Sequence, residues 1–309
     1  MDRAIVISNG RCGSTLLSDL IVDEPETLSA QEFFMSMVPW SRSGEVVSGA
    51  DYWDFVSSPT PEVSLLVKLG VAPKELRYRG ARFGADLTTL PRILTVTLPK
   101  ATDDPDALYA RLESVVPHFP DQTIGAHHRA FLDLTAELTG RKRWVERSGG
   151  SSQIAPSLLE TYPDAKIVYL TRDWNRTATS MSRHASFQLV QLRIECIGRY
   201  GFDPLHASPD EVPAEMRDLM PDRLTADVLR ARGEDQRKFL ALCAFMSSQA
   251  EQALADRPPA SGYRIAYEDL LADPVGELTR LGAFLGFADP AGWAAAVAGR
   301  VRRPEPVAA

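Results

Sequence analysis

The stretch Ala4-Ile5-Val6-Ile7-Ser8 (AIVIS) runs into Asn9-Gly10-Arg11-Cys12-Gly13 and then into Ser14–Ile21, STLLSDLI. A short, continuous apolar run rich in β-branched residues predicts a strand covered on both faces, as in a parallel sheet. The glycines predict a tight turn, and Ser14 and Thr15 open a segment with helical spacing. Strand, Gly-rich loop and helix in that order predict the start of a βαβ unit. The loop gathers backbone N–H groups, the Ser14 and Thr15 hydroxyls and the Arg11 guanidinium at a helix N-terminus. That assembly suits an oxyanion such as phosphate or sulfate. The plainer reading of the same residues is a strand–helix turn carrying a surface arginine.

Working outward, a second unit of the same kind is legible around Lys166–Leu170 (KIVYL). A helix is expected over Ser157–Tyr162 before it, and another over Arg176–His184 after Thr171-Arg172-Asp173. Arg172 then sits at the carboxyl edge of its strand, where open α/β sheets bind ligands, and Ser180 lies two turns along the next helix. An arginine and a hydroxyl there predict a second anion site; an exposed Arg–Asp pair is the bland alternative. Weaker strand candidates are Leu65–Lys68, Ile93–Leu98 and Trp144–Val145, and a further strand is expected over Tyr263–Tyr267. Helices are expected over Ala107–Val116, Ala126–Leu138 and Val275–Leu285. Residues Ser186–Pro258 show helical patterning without a strand, and the Pro- and Asp-rich patch Asp203–Pro213 reads as a surface loop. Strand-like segments lie on both sides of this part, so the expectation is one α/β domain over 1–309 with a helical insertion at about 186–258.

Composition sets the outer limits. The chain has 309 residues, 44% hydrophobic and 24% charged, with a net charge of −7. These values support a packed core and exclude disordered and collagen-like classes. The acidic balance argues against coating nucleic acid through bulk charge, though not against a local basic pocket. No apolar run reaches the roughly 18 residues needed to span a bilayer. Met1-Asp2-Arg3 leads straight into a strand pattern with no leader signature. Cys12, Cys196 and Cys243 are scattered without metal-ligand spacing. The expectation is a reduced, cytoplasmic protein with no membrane span and no nucleic-acid partner, for which a homodimer remains open.

Two common nucleotide loops do not fit. No Lys precedes Ser14 as a Walker A loop requires, and the G-x-G-x-x-G spacing is missing. The strand KIVYL also ends in Arg172 rather than in an Asp that would hold Mg²⁺. A P-loop kinase or nucleotide hydrolase, and a non-catalytic nucleotide-binding protein, stay open as alternatives at this point.

Taken together, three segments resemble the sulfotransferase family that uses 3′-phosphoadenosine 5′-phosphosulfate, in its bacterial small-molecule form. SNGRCGSTLL is similar to the family's 5′-phosphosulfate loop, and PDAKIVYLTRDWNRTATSM to its 3′-phosphate segment. RIAYEDLLADPVGELTRLGAFLGF is similar to its C-terminal stretch. The resemblance implies a P-loop NTPase-like parallel sheet flanked by helices, with transfer of a sulfuryl group to a hydroxyl or amine. It implies donor contacts from Arg11, Cys12, Gly13, Ser14, Thr15 and Leu16, with Arg172 and Ser180 on the 3′-phosphate. It also implies adenosine 3′,5′-bisphosphate as product and no metal requirement. The chain departs from the family in Asn9-Gly10, where relatives often carry a Pro, and in Cys12, where Ser or Ala is usual. The Glu146–Ser151 segment (ERSGGS) follows the bacterial pattern better than the animal one.

Sulfuryl transfer, like phosphoryl transfer, is expected to run in line through a loose transition state, so positioning and charge stabilisation dominate. Arg11 would neutralise charge on the leaving phosphate. Glu32, ahead of Phe33 and Phe34, is the first choice for the base that takes the acceptor proton. The resemblance supports it, and two aromatics would raise its pKa by drying the site. A solvated carboxylate at a loop end is the alternative. His127 and His128 compete as bases, although a cap or surface position is the expectation for them, and Glu146 is third. Arg300, Arg302 and Arg303 are candidates to close over the 3′-phosphate, Arg302 foremost, with a solvated basic tail the alternative. Trp40, Tyr52, Trp53 and Phe55 are candidates to line the pocket of a small hydroxylated acceptor, or are plain core. The loops around Phe33–Tyr52 and the insertion are expected to set which acceptor is taken.

Overall fold

A computed structural model describes residues 1–37, 42–208, 210, 212–255 and 257–301. Its main sheet has five strands, β1 (Asp2–Ser8), β2 (Thr27–Gln31), β5 (Arg143–Arg147), β6 (Lys166–Thr171) and β7 (Gly262–Ala266), in the order β2-β5-β1-β6-β7. Every neighbouring pair is parallel. Two short strands, β3 (Val46–Val47) and β4 (Gln122–Thr123), pair antiparallel away from it.

Side chains alternate across a strand, so β1 feeds both faces of the sheet. Ile5 and Ile7 enter one core with Phe33, Phe34, Phe131 and Trp144. Ala4 and Val6 enter another with Leu17, Leu20, Val168, Leu281 and Trp293. Burial on both faces is why AIVIS and KIVYL read as continuous apolar runs rather than as alternating ones. The helix Ser14–Ile21 follows β1 directly, and the helix Trp174–Ser182 follows β6, with the Asp173 side chain accepting from the Arg176 N–H as its cap.

The insertion is helical as expected, with helices Ala185–Tyr200, Ala226–Ala231 and Gln236–Leu254. It is held by apolar contact: Leu189, Leu192 and Leu229 pack with Leu65 and Leu66, and Phe239 and Met246 with Ala178 and Met181.

Two strand expectations are corrected. Leu65–Lys68 is the end of a helix, Pro61–Lys68, and Ile93–Leu98 is divided between the short helices Arg92–Thr95 and Thr97–Ala101. Thr60 and Pro61 are helix-start residues that outweigh the apolar run after them. Pro91 and Pro99 flank the second run, Pro91 as the cap of one short helix and Pro99 in the first turn of the other, positions where proline suits a helix start. Conversely β2, sequence TLSAQ, is a sheet strand that hydropathy did not mark. Among the described residues no helix is long and apolar enough to cross a membrane.

Candidate active site

In a parallel sheet all strands end at the same edge, and the residues just past those ends form one rim. Asn9–Gly13 follows β1, Glu32 follows β2, Ser148–Gly150 follows β5, Arg172 follows β6 and Tyr267 follows β7. Register fixes their spacing: Gln31 lies opposite Arg147, and Ser8 opposite Leu170.

The β1 loop is wound in the left-handed region, with φ of 78° at Gly10, 56° at Arg11 and 94° at Gly13. Two of these positions need glycine for space as well. A Cβ on Gly13 would come within 2.3 Å of the Tyr267 ring, and one on Gly10 within 2.7 Å of Phe187. Arg11 takes the same conformation despite its side chain, as does Glu32, also at 56°. These two candidate catalytic residues are the non-glycine residues with positive φ among those described. Backbone strain of this kind costs about 1–3 kcal/mol and collects at functional sites.

The two anion segments meet. Arg11 Nε donates to Ser180 Oγ at 3.2 Å, and Arg172 Nη1 donates to the Arg11 carbonyl at 3.0 Å. The Arg172 guanidinium also lies over the Tyr267 ring, 4.9 Å from its centroid. Its buried Nε has no hydrogen-bond partner among the described residues. A buried, unsatisfied N–H on a cation is costly, so an anion at this point fits the donor set. Arg11 Nη1 makes a second contact, at 3.2 Å, with Glu75, which itself faces His184 Nε2 at 3.6 Å. Ser14 is buried at the start of its helix, and the Cys12 side chain enters the core, so Cys12 can offer the crevice only backbone. Leu16 packs against the same core.

Two strands from β1, on the same rim, stands Glu32. Its carboxylate pairs with Arg147 and accepts from the Gly149 N–H at 3.2 and 3.1 Å. Arg147 is 1% exposed and Glu32 24%. Arg147 also donates to Ser18 Oγ at 3.1 Å and Gln31 Oε1 at 2.9 Å, which fixes the guanidinium in place. Burial pushes the Glu32 carboxyl above its ordinary range, while Arg147 and the Gly149 N–H pull the other way. Phe33 and Phe34, next along the chain, are fully buried, with Phe33 stacked on Phe131 and Phe34 against Trp144 and Tyr162.

Glu146 lies beneath, fully buried, and burial raises its carboxyl to about 8. It accepts from the Phe34 N–H at 3.1 Å and from Ser148 Oγ at 2.6 Å, and Ser148 in turn accepts from the Met35 N–H at 3.1 Å. Glu146 and Ser148 thus hold the turn that presents Glu32.

His127 and His128 are neither capping nor exposed: both are buried within the helix Ile124–Leu138. His127 Nε2 donates to the Val47 carbonyl and its Nδ1 accepts from Gln122, while His128 Nδ1 is 2.9 Å from the Tyr52 hydroxyl. Burial lowers His128 to about 3. Tyr52 stacks on His127 and Trp53 packs on Tyr109, so these two aromatics are core. Phe55 carries the Arg92 guanidinium, 4.0 Å from its ring centroid. Arg300 is ion-paired with Asp23 and donates to the Asp19 carbonyl, beside the far end of the helix that leaves the β1 loop. Arg302, Arg303 and Trp40 lie outside the described residues. Among the described residues no cluster of His, Cys, Asp or Glu could hold a metal ion.

Arg147, Gly149, Glu75, His184 and Tyr267 are site residues that the sequence did not single out. For Arg147 a signal existed: three charged residues in the strand Arg143–Arg147, followed by Ser-Gly-Gly, repeat the strand–glycine turn of β1. Solved structures that the chain resembles include sulfotransferases. The sulfotransferase STF9 from Mycobacterium avium is 13% identical with a TM-score of 0.48, covering 98% of this chain and 69% of that one. The sulfotransferase domain from the curacin biosynthetic pathway is 15% identical, TM-score 0.43, covering 92% and 74%. STF1 from Mycobacterium tuberculosis is 19% identical, TM-score 0.43, covering 95% and 70%. No family model and no curated protein matches the chain.

Proposed function

We propose that this chain is a sulfotransferase that moves a sulfuryl group from 3′-phosphoadenosine 5′-phosphosulfate to a hydroxyl of a small acceptor. The observation that carries the reading is the contact of Arg11 with Ser180 and of Arg172 with the Arg11 backbone, across 169 and 161 residues of chain. Two separately readable anion motifs share one crevice with a carboxylate on its far wall.

Arg11 and the backbone N–H groups of Cys12, Gly13, Ser14, Thr15 and Leu16 would hold the phosphosulfate end, and Arg172 and Ser180 the 3′-phosphate. The bound donor supplies an activated sulfuryl group. Arg11 offsets charge on the departing phosphate oxygen, and Glu32 takes the acceptor proton on one of its carboxylate oxygens. Arg147 keeps that carboxylate oriented, and Phe33 and Phe34 exclude water behind it. The insertion borders the same crevice through Phe187 and His184, which supports a role in choosing the acceptor.

Calorimetry with adenosine 3′,5′-bisphosphate tests the donor half, and a donor-loaded screen of hydroxylated metabolites with mass detection of an added sulfate tests the transfer. Absence of bisphosphate binding by the folded protein would sink the reading.

A further inference from the structure

Glu75 has no task in the reaction above, yet it sits on the residue that matters most to it. It lies between the helices Pro61–Lys68 and Arg92–Thr95, with its side chain 23% exposed. One carboxylate oxygen meets Arg11 Nη1 at 3.2 Å, and the other faces His184 Nε2 at 3.6 Å. His184 chiefly, helped by Arg11, holds its carboxyl down to about 2, so Glu75 is a full negative charge at neutral pH. The second edge of the Arg11 guanidinium is taken by Ser180, through Nε at 3.2 Å.

A guanidinium has a fixed fork of donors, and an incoming phosphate or sulfate needs two of them side by side to bind well. With Nε on Ser180 and Nη1 on Glu75, an anion that takes either donor pair must share a nitrogen with a partner already there. Ser180 is neutral and can turn with an anion, whereas Glu75 repels it.

We propose that Glu75 is an internal competitor for Arg11, a carboxylate that the incoming anion must push aside and that reclaims the guanidinium when the anion leaves. His184 is the second seat: it receives Glu75 while an anion occupies Arg11. Glu75 is then a positioning residue that weakens the hold on donor and product alike, a useful property where product release limits turnover. The inference rests on the sulfotransferase reading only in naming the anion.

Two probes separate the ideas, inorganic sulfate and adenosine 3′,5′-bisphosphate, each titrated into the full chain by calorimetry and by thermal shift. Glu75→Gln keeps the shape and removes the charge. It is expected to bind both probes about tenfold more tightly than the parent, the gain from one charged hydrogen bond no longer competed for. Glu75→Asp, whose shorter reach pulls the carboxylate off Arg11, is expected to lie between them and guards against a folding defect in the first variant. His184→Ala removes the second seat and is expected to weaken binding, an effect that disappears when combined with Glu75→Gln. Equal or weaker binding of both probes by folded Glu75→Gln and Glu75→Asp overturns the competition. Tighter sulfate binding by Glu75→Gln, with no bisphosphate bound by any variant, keeps the competition and overturns the sulfotransferase reading.

Discussion

The two walls of the crevice handle charge in opposite ways. On the β1–β6 wall, Arg11 and Arg172 are partly exposed cations whose strongest contacts are a hydroxyl, a backbone carbonyl and a detachable carboxylate. On the β2–β5 wall, Glu32 is an anion already matched by Arg147, a guanidinium buried to 1% exposure and tied to three partners. The first wall is short of anions and is built to receive one. The second is electrically closed, with the Glu32 carboxylate held in place by Arg147 and the Gly149 N–H. On the proposed function, binding and proton transfer fall to different strand pairs of one sheet.

The sharpest way to break this division is Glu32→Gln. It is expected to leave bisphosphate affinity unchanged and to lower turnover of the accepted substrate about 10²–10⁴-fold, the usual contribution of a positioned base. In the parent, the rate is expected to rise with pH through a carboxyl pKa above the ordinary range, because Glu32 must lose its proton to act and burial raises that pKa. Normal turnover in Glu32→Gln removes it as the base.

Arg147→Ala attacks the closed wall itself. It leaves Glu32 as an uncompensated, mostly buried charge, and denaturant unfolding is expected to show a loss of about 3–5 kcal/mol. A loss below 1 kcal/mol would mean that the pair is solvent-screened and the wall is not closed.

The receiving wall should respond in affinity instead. Arg11→Ala and Arg172→Ala are each expected to weaken bisphosphate binding by about 1.5–3 kcal/mol in calorimetry, with little change in unfolding midpoint. A fall in stability without a fall in affinity would reverse the roles of the two walls.

Most discriminating is the pH dependence of folding. Glu146 has a carboxyl raised to about 8 in the folded protein against an ordinary value near 4.5. The folded state therefore binds the extra proton between these values, so the contribution of Glu146 is fully present below about 4.5 and is lost as pH rises through about 8. Glu146→Gln is expected to flatten that decline in thermal unfolding curves; an unchanged slope places its origin elsewhere.

How much of this was readable in the sequence follows the same division. β1 and β6 announce themselves because both faces are buried and each carries a run of β-branched or aromatic residues, and their glycine and arginine ends mark the receiving wall. β2 is just as buried, yet its Thr27, Ser29 and Gln31 are polar residues satisfied by tertiary contacts, such as Ser29 donating to the Ser18 carbonyl. Polar burial of that kind has no local signature. Glu32 was legible as a residue but not as the residue after a strand, and Arg147 was hidden because its three partners come from distant parts of the chain. The strand readings at Leu65–Lys68 and Ile93–Leu98 went wrong for the converse reason: short apolar runs suit either period, and the neighbouring prolines decide.

The covering of Gly13 by Tyr267 bears on the order in which the molecule matures. The glycine turn follows β1, but the ring that packs over it, and on which Arg172 rests, follows β7 at an edge of the sheet. Until β7 docks, the glycine turn lacks its ceiling and the arginine its support, so the turn is complete only once β1, β6 and β7 share one sheet.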